Sequence, residues 1–99
     1  KAVVPEGVVC RYGGEELIVF FPGLTGRDVI RRAQRLRAAI ESLETPFRGK
    51  RISVTVSIGV SDRRTARHSL GHVVHAADKA LYIAKENGRN QVRFVRIKG

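Results

Sequence analysis

Cysteine and long apolar runs are scarce in this sequence. Cys10 is the one cysteine among 99 residues, so no disulfide can form within the chain, and its position in an apolar run is typical of a buried free thiol. We therefore expect a reducing, cytoplasmic location, although a longer parent protein could be membrane-anchored. No apolar run approaches the roughly 18 residues of a membrane span, and the first residues lack the pattern of a signal peptide.

Negative charge is scarce as well. Nine Asp and Glu face 19 Lys and Arg, which gives a formal net charge of +10. This excess favours anionic partners: nucleotides, nucleic acid or an acidic protein surface. Several of the arginines lie in two segments, Arg27, Arg31, Arg32, Arg35 and Arg37 in one and Arg63, Arg64 and Arg67 in the other. A solvated basic face is the simpler interpretation, so charge alone does not select a function.

The apolar residues that are present form ordered blocks, which predict one small domain. Two short apolar runs, Val8 to Tyr12 and Leu17 to Phe21, flank the sequence GGEE and predict a β-hairpin. Thr25 then begins a sequence that resembles a capping box and predicts an amphipathic helix. The expected apolar stripe of that helix comprises Val29, Ala33, Leu36, Ile40 and Leu43.

The second half of the chain predicts a strand, a helix and a final strand. The sequence RISVTVSIGV, residues 51–60, alternates strictly between apolar and small or polar residues, which predicts one strand. Ser69 and Gly88 are typical of the two ends of a helix, and residues 91–97 predict the last strand. The order β-β-α-β-α-β indicates an α+β fold in which helices flank a mainly antiparallel sheet.

The GGEE turn carries the most unusual chemistry. Gly13 and Gly14 suit a backbone that needs positive φ or a close approach, so a purely structural turn is one interpretation. Adjacent Glu15 and Glu16 repel each other and are harder to explain in that way. The alternative is that the glycines admit a phosphate group while the carboxylates hold Mg²⁺. Spacing alone leaves both interpretations open.

Two further clusters lie in or beside the second helix. Lys85 and Arg89 are four residues apart at its end, where cations complement the negative helix terminus and could also clamp a phosphate group. His68, His72 and His75 have helical spacing but lack a clear fourth metal ligand, so we expect exposed helix positions rather than a zinc site.

Together these motifs resemble the C-terminal part of the GGDEF domain of diguanylate cyclases, with the signature spelled GGEEL here. RYGGEEL, IVFFPG, VTVSIGV and AADKALYIAKENGRNQV occur in the family's order between Val8 and Val95. The resemblance implies a partial GGDEF fold over residues 1–99, ferredoxin-like and similar to the palm of nucleotidyl cyclases. It also implies that the family's first strand and helices, with a second metal-binding Asp, are missing, so we expect the 99 residues alone to be inactive.

The resemblance further implies a bacterial signalling enzyme, a nucleotidyltransferase. Its parent would condense two GTP molecules into cyclic di-GMP across a homodimer, under an upstream sensory or regulatory domain. Carried over by position, Glu15 and Glu16 become the catalytic acids, with Glu15 as the ligand of Mg²⁺ or Mn²⁺. The substrate-binding residues become Gly13, Gly14, Lys85 and Arg89.

The sequence also departs from the family pattern. Leu17 replaces the signature's final Phe, which alters packing beneath the turn. The family's inhibitory motif Arg-x-x-Asp falls on residues 4–7, which read VPEG, so we expect no inhibitory site. A non-catalytic GGDEF-like module that binds nucleotide or a partner is therefore an alternative. A basic nucleic-acid-binding module is another, which the lack of aromatic residues among the basic segments disfavours.

Overall fold

The computed structural model describes residues 7–12, 17–22, 24–63 and 69–97 of the chain. Two helices and six strands occur in these residues. In chain order they are β1 (Gly7–Tyr12), β2 (Leu17–Pro22), α1 (Gly26–Ser42), β3 (Thr45–Phe47), β4 (Lys50–Ile52), β5 (Ile58–Arg63), α2 (Leu70–Glu86) and β6 (Val92–Phe94).

Four of the strands form the main sheet, in the order β2-β1-β5-β6. Strand β1 pairs antiparallel with both β2 and β5, which confirms the predicted hairpin partners. Strand β6 pairs parallel with β5, because the α2 crossover returns the chain to the end of the sheet at which β5 begins. The predicted α+β architecture with a mainly antiparallel sheet is therefore confirmed.

The two helices cover opposite faces of the sheet. Ile58 and Val60 of β5 are fully buried and pack in one cluster with Val29 of α1. Gly59, between them, faces the backbone of α2, and the Ser61 hydroxyl donates to the carbonyl oxygen of Val73 in α2 at 2.5 Å. Because successive strand residues point to opposite faces, β5 forms the middle of a three-layer α-β-α arrangement.

Helix α1 begins as its sequence predicts. The Thr25 hydroxyl oxygen accepts a hydrogen bond from the Asp28 backbone N–H at 3.2 Å and donates to the Asp28 carboxylate at 2.9 Å. The apolar stripe, however, is deeply buried only over the first two turns, at Val29 and Ala33. Leu36 is 42% exposed, and Leu43, the C-cap, is 61% exposed.

Helix α2 also has the predicted ends. Ser69 is the N-cap, and Gly88, just beyond the C-cap, has a φ of +105°. His72 completes a capping box: its backbone N–H donates to the Ser69 hydroxyl oxygen, and its Nδ1 accepts from the Ser69 backbone N–H. His72 therefore caps the N-terminus of α2. His75 is exposed, and His68 lies outside the described residues.

The predicted single strand over residues 51–60 is wrong. The sequence divides into β4 and β5, residues 53–57 belong to no strand, and β5 continues to Arg63. Strand β4 instead pairs with β3 across a turn in which Arg48 and Gly49 have positive φ. Alternation predicts a strand only where a neighbouring strand supplies hydrogen bonds, and β5 has such neighbours on both sides. The final strand is likewise shorter than the predicted residues 91–97.

Candidate active site

The four strands of the main sheet have ends that lie side by side at one end of the sheet, and we call this end the edge. Leu17, Tyr12, Ile58 and Val92 form a single row across it, in the order of the strands. Residues 13–16 connect Tyr12 to Leu17 and so follow directly from this row. All four of these residues, Gly13, Gly14, Glu15 and Glu16, lie outside the described residues, and their roles stay predictions.

Helix α2 ends at the same edge, because it runs antiparallel to β5. Val73 lies beside Ser61, and Leu81 lies beside Gly59, which is adjacent to the edge row. Lys85 is one helical turn beyond Leu81, which carries it about 6 Å further toward the edge. The structure thus brings Lys85 to the end of the sheet from which residues 13–16 extend.

The chain after α2 folds back on the helix end. The Arg89 backbone N–H donates to the carbonyl oxygen of Ala84 at 2.8 Å, as in a Schellman motif, and Gly88 supplies the left-handed residue that this motif needs. The Ile58 N–H then bonds to the Gln91 carbonyl oxygen at 3.0 Å, which joins the loop to the first residue of β5. Arg89 is thereby fixed through its backbone near the edge row.

Neither cationic side chain has a competing partner among the described residues. Lys85 is half-buried and Arg89 is exposed. Within the part of the chain that the structure describes, neither forms an ion pair or a side-chain hydrogen bond. The negative end of the α2 helix dipole faces the same region and favours a cation such as Lys85. An ammonium and a guanidinium at this edge can bind a phosphate group, the first as a point charge and the second through two parallel hydrogen bonds.

A hydrogen-bond network next to Arg89 was missed by the sequence analysis. The Asn90 side-chain oxygen accepts from the Arg37 guanidinium at 2.8 Å, and its amide nitrogen donates to the Glu41 carboxylate at 2.5 Å. Arg37 also pairs with Glu41 at 3.2 Å. The bond from Asn90, and then the bond from Arg37, hold the pKa of the Glu41 carboxyl below its ordinary value. The Asn90 backbone N–H donates to the Ser57 hydroxyl oxygen at 3.2 Å.

This network also corrects one predicted feature of α1. A solvated basic face is the simpler interpretation of its arginines, and Arg27, Arg31, Arg32 and Arg35 are exposed. The Arg37 side chain is only 20% exposed, because it turns toward the loop after α2. The local signal was the spacing of Arg37 and Glu41, four residues apart in one helix. Their partner Asn90 is 53 residues from Arg37, so nothing in the sequence indicated it.

Two further observations concern metals and membranes. Among residues 7–12, 17–22, 24–63 and 69–97, no group of three His, Cys, Asp or Glu side chains is arranged to hold a metal ion. The carboxylates predicted to do so, Glu15 and Glu16, lie outside these ranges. Neither of the described helices is long and apolar enough to cross a membrane.

Comparison with known proteins identifies relatives that match most of the chain. The family model for the diguanylate cyclase GGDEF domain matches residues 1–91. Over 82 residues the chain is 44% identical to Diguanylate cyclase A of Treponema denticola, a match that covers 83% of this chain and 22% of that protein. The chain spans about a fifth to a third of the length of the curated relatives it matches.

Solved structures share the fold. Diguanylate cyclase SiaD of Pseudomonas aeruginosa, crystallised with its activator SiaC, is 31% identical and has a TM-score of 0.75, with 89% of this chain and 34% of that chain covered. The GGDEF domain of DgcB from Caulobacter crescentus, in complex with c-di-GMP, has a TM-score of 0.83 at 20% identity, with 91% and 76% covered. At that identity the second likeness concerns the fold alone.

Proposed function

This chain belongs to the GGDEF domain family of diguanylate cyclases, and we propose from that premise that it is the C-terminal portion of a catalytic domain in a longer protein. The parent condenses two GTP molecules into cyclic di-GMP. The 3′-hydroxyl of each GTP attacks the α-phosphate of the other, and each attack releases one pyrophosphate. Because each nucleotide must reach the other's α-phosphate, two copies of the domain act together as a homodimer.

The observation that carries this proposal is the common edge of the sheet. Lys85 and Arg89 lie at the edge from which residues 13–16 extend, although more than 65 residues separate these segments in the chain. Two cations without partners among the described residues complement the negative charge of a triphosphate. Their backbone positions lie at the same end of the sheet as Tyr12 and Leu17, which flank GGEE in the chain. A phosphate site requires this arrangement, and a turn with a purely structural role would not.

Divalent metal ions are general in this family, and the donor set of GGEE suits Mg²⁺ or Mn²⁺. Both ions prefer oxygen ligands, which the carboxylates of Glu15 and Glu16 supply. Glu15 would hold the ion, and Glu16 adds negative charge beside it. A metal held there would neutralise phosphate charge and favour ionisation of the attacking hydroxyl. Gly13 and Gly14 leave room for the substrate to approach the backbone.

Regulation by another protein or domain belongs to the same proposal. SiaD was solved with its activator, and the GGDEF domain of DgcB was also solved with a coiled coil attached. We therefore expect an upstream sensory or regulatory domain in the parent of this chain. GTP as substrate is consistent with a cytoplasmic site of action, whether or not the parent is anchored to a membrane.

The proposal is tested with the full-length protein that carries this chain. GTP and Mg²⁺ are added, and cyclic di-GMP is quantified by chromatography. We expect Glu15→Gln to lower the rate by about 100-fold or more, because a metal ligand is lost, and Arg89→Ala or Lys85→Ala to raise KM about tenfold or more, as expected for a lost charge-assisted hydrogen bond. Arg31→Ala and Lys79→Ala are control substitutions, since both remove an exposed cation, one on α1 and one on α2, and should change neither value.

Binding measurements with GTP and with nucleic acid, made beside this assay, separate the alternatives. A protein that binds GTP but makes no cyclic di-GMP, with or without Glu15→Gln, would be a non-catalytic nucleotide-binding module. A protein that instead binds DNA or RNA with an affinity that falls steeply with salt would be a basic nucleic-acid-binding module. Either result overturns the proposed cyclase activity.

A further inference from the structure

Asn90 is held on both sides of its side-chain amide. Arg37 donates to its oxygen at 2.8 Å, and Glu41 accepts from its nitrogen at 2.5 Å. The two partners also bind each other, so they form one rigid receptor on α1. Rotation of the amide by 180° would set its N–H groups against the guanidinium and its oxygen against the carboxylate. The network therefore accepts the amide in one orientation only.

The backbone at this point needs such support. Arg89 and Asn90 have φ values of +62° and +46°, directly after Gly88 at +105°. Residues with a Cβ avoid this region, although Asn enters it more easily than most, and consecutive residues of this kind persist when the surrounding contacts hold them. Asn90 supplies contacts to two elements: its side chain binds α1, and its backbone N–H binds Ser57 next to β5.

We propose that Asn90, clamped between Arg37 and Glu41, is a positioning residue that fixes the left-handed backbone at Arg89 and so directs the Arg89 guanidinium toward the phosphate groups of the substrate. This inference rests on the proposed function. It adds a role for α1, none of whose residues is among the predicted substrate residues. Arg37 and Glu41 act through Asn90 and do not themselves contact the substrate.

The first test compares two asparagines in the full-length protein. Asn90→Ala removes the clamped amide, and Asn90→Gly removes it without straining the left-handed backbone. Asn87→Ala is the matched control: this side chain donates to the Ile83 carbonyl oxygen at the helix end and touches neither Arg37 nor Glu41. We expect both changes at Asn90 to raise the KM for GTP about fivefold or more while kcat changes less than about twofold, as for a binding interaction. Asn87→Ala should leave KM within about twofold.

A double-mutant cycle asks whether Asn90 acts through Arg89. In an Arg89→Ala background, Asn90→Gly should change KM by less than about twofold, because the group that it positions is already absent. An effect of full size in that background, or an unchanged KM in both single variants at Asn90, overturns the proposal. A merely structural role of Asn90 would lower stability equally in both backgrounds and show no such coupling.

The clamp can also be rebuilt in another form. Asn90→Asp alone sets two carboxylates against each other and should raise KM, whereas Asn90→Asp combined with Glu41→Gln restores a donor opposite an acceptor and should return KM to within about threefold of the original value. Failure of this rescue, with the double variant folded, counts against the clamp.

A readout without nucleotide separates this proposal from the proposed function. The Arg89 amide bonds to the Ala84 carbonyl oxygen, so its hydrogen exchange reports on the backbone at Arg89. We expect exchange about tenfold faster in Asn90→Gly than in the unchanged protein. A protein that neither binds GTP nor turns it over would overturn both the proposed function and the phosphate role of Arg89, while faster exchange would still support the backbone role of Asn90. Unchanged exchange would overturn that role too.

Discussion

At the scale of single residues, Gly59 determines how closely α2 approaches the sheet. A Cβ built on it would lie 2.2 Å from the Ala77 carbonyl oxygen and 2.4 Å from the Leu81 nitrogen. Both contacts are with helix backbone, which cannot move aside as the tip of a side chain can. The facing residues Ala77, Ala80 and Ala84 are small and fully buried. The absence of a side chain at Gly59 therefore lets α2 lie directly on β5, and this closeness also fixes the height of Lys85 above the sheet edge.

We expect Gly59→Ala to lower the free energy of unfolding by about 3 kcal/mol, because α2 must shift away from the sheet and its small side chains lose packing contacts. Urea denaturation of the full-length protein measures the change. Gly71→Ala is the control: among the described residues its Cβ would meet only the Ser69 hydroxyl oxygen, at 3.7 Å, and alanine in a helix should add about 0.5–1 kcal/mol. Equal unfolding midpoints for the two variants would contradict this account of Gly59.

At the scale of elements, the sequence predicts best those features that neighbouring residues determine. The first residues of both helices were predicted from Thr25 and Ser69, whose hydrogen bonds span three residues. The strand over residues 51–60 was not, because pairing with β1 and β6 decides where β5 begins, and those partners lie some 30 to 50 residues away. The substrate-binding residues were predicted from the resemblance of the motifs to those of the GGDEF family. The Asn90 clamp joins α1 to the loop after α2, a contact that no local pattern encodes.

The contact between α1 and that loop should depend on pH. The pKa of Glu41 is lowered in the folded protein by Asn90 and then by Arg37. A lowered pKa in the folded state means that the stabilisation is present above the pKa of the unfolded chain and is lost as the pH falls through the folded value. We expect the melting temperature to fall less steeply from pH 6 to pH 3 in Glu41→Gln than in the unchanged protein. Parallel melting curves for the two proteins over this range would show that Glu41 carries no such linkage.

At the scale of the whole molecule, the net charge of +10 complements the negative charge of the proposed substrate, a triphosphate. Four exposed arginines of α1 contribute to that field without joining the clamp. Exposed charges of this kind are screened by salt, whereas the local contacts of Arg89 would be screened less. The general attraction and the specific contacts are thus separate properties of the chain.

The expected lack of product inhibition is tested on the full-length protein. Residues 4–7 read VPEG where the family's inhibitory motif has Arg-x-x-Asp, and residues 4–6 lie outside the described ones. We expect added cyclic di-GMP to leave the initial rate of the full-length protein unchanged through this position. The double substitution Val4→Arg with Gly7→Asp should introduce inhibition, which initial-rate assays with added product would detect. Inhibition of the unchanged protein that substitutions at residues 4–7 abolish would contradict the expectation.

The position of β5 in the sheet also affects how the protein is made. Its partner β6 is synthesised about 30 residues later, so the ribosome needs roughly 2 to 6 s to deliver it after Arg63. During this interval the nascent chain carries a strand whose Ile58 and Val60 belong in the core and whose β6-facing edge is unpaired. Unpaired edges recruit other chains. The speed of translation between β5 and β6 should therefore influence how much of the protein is soluble after synthesis.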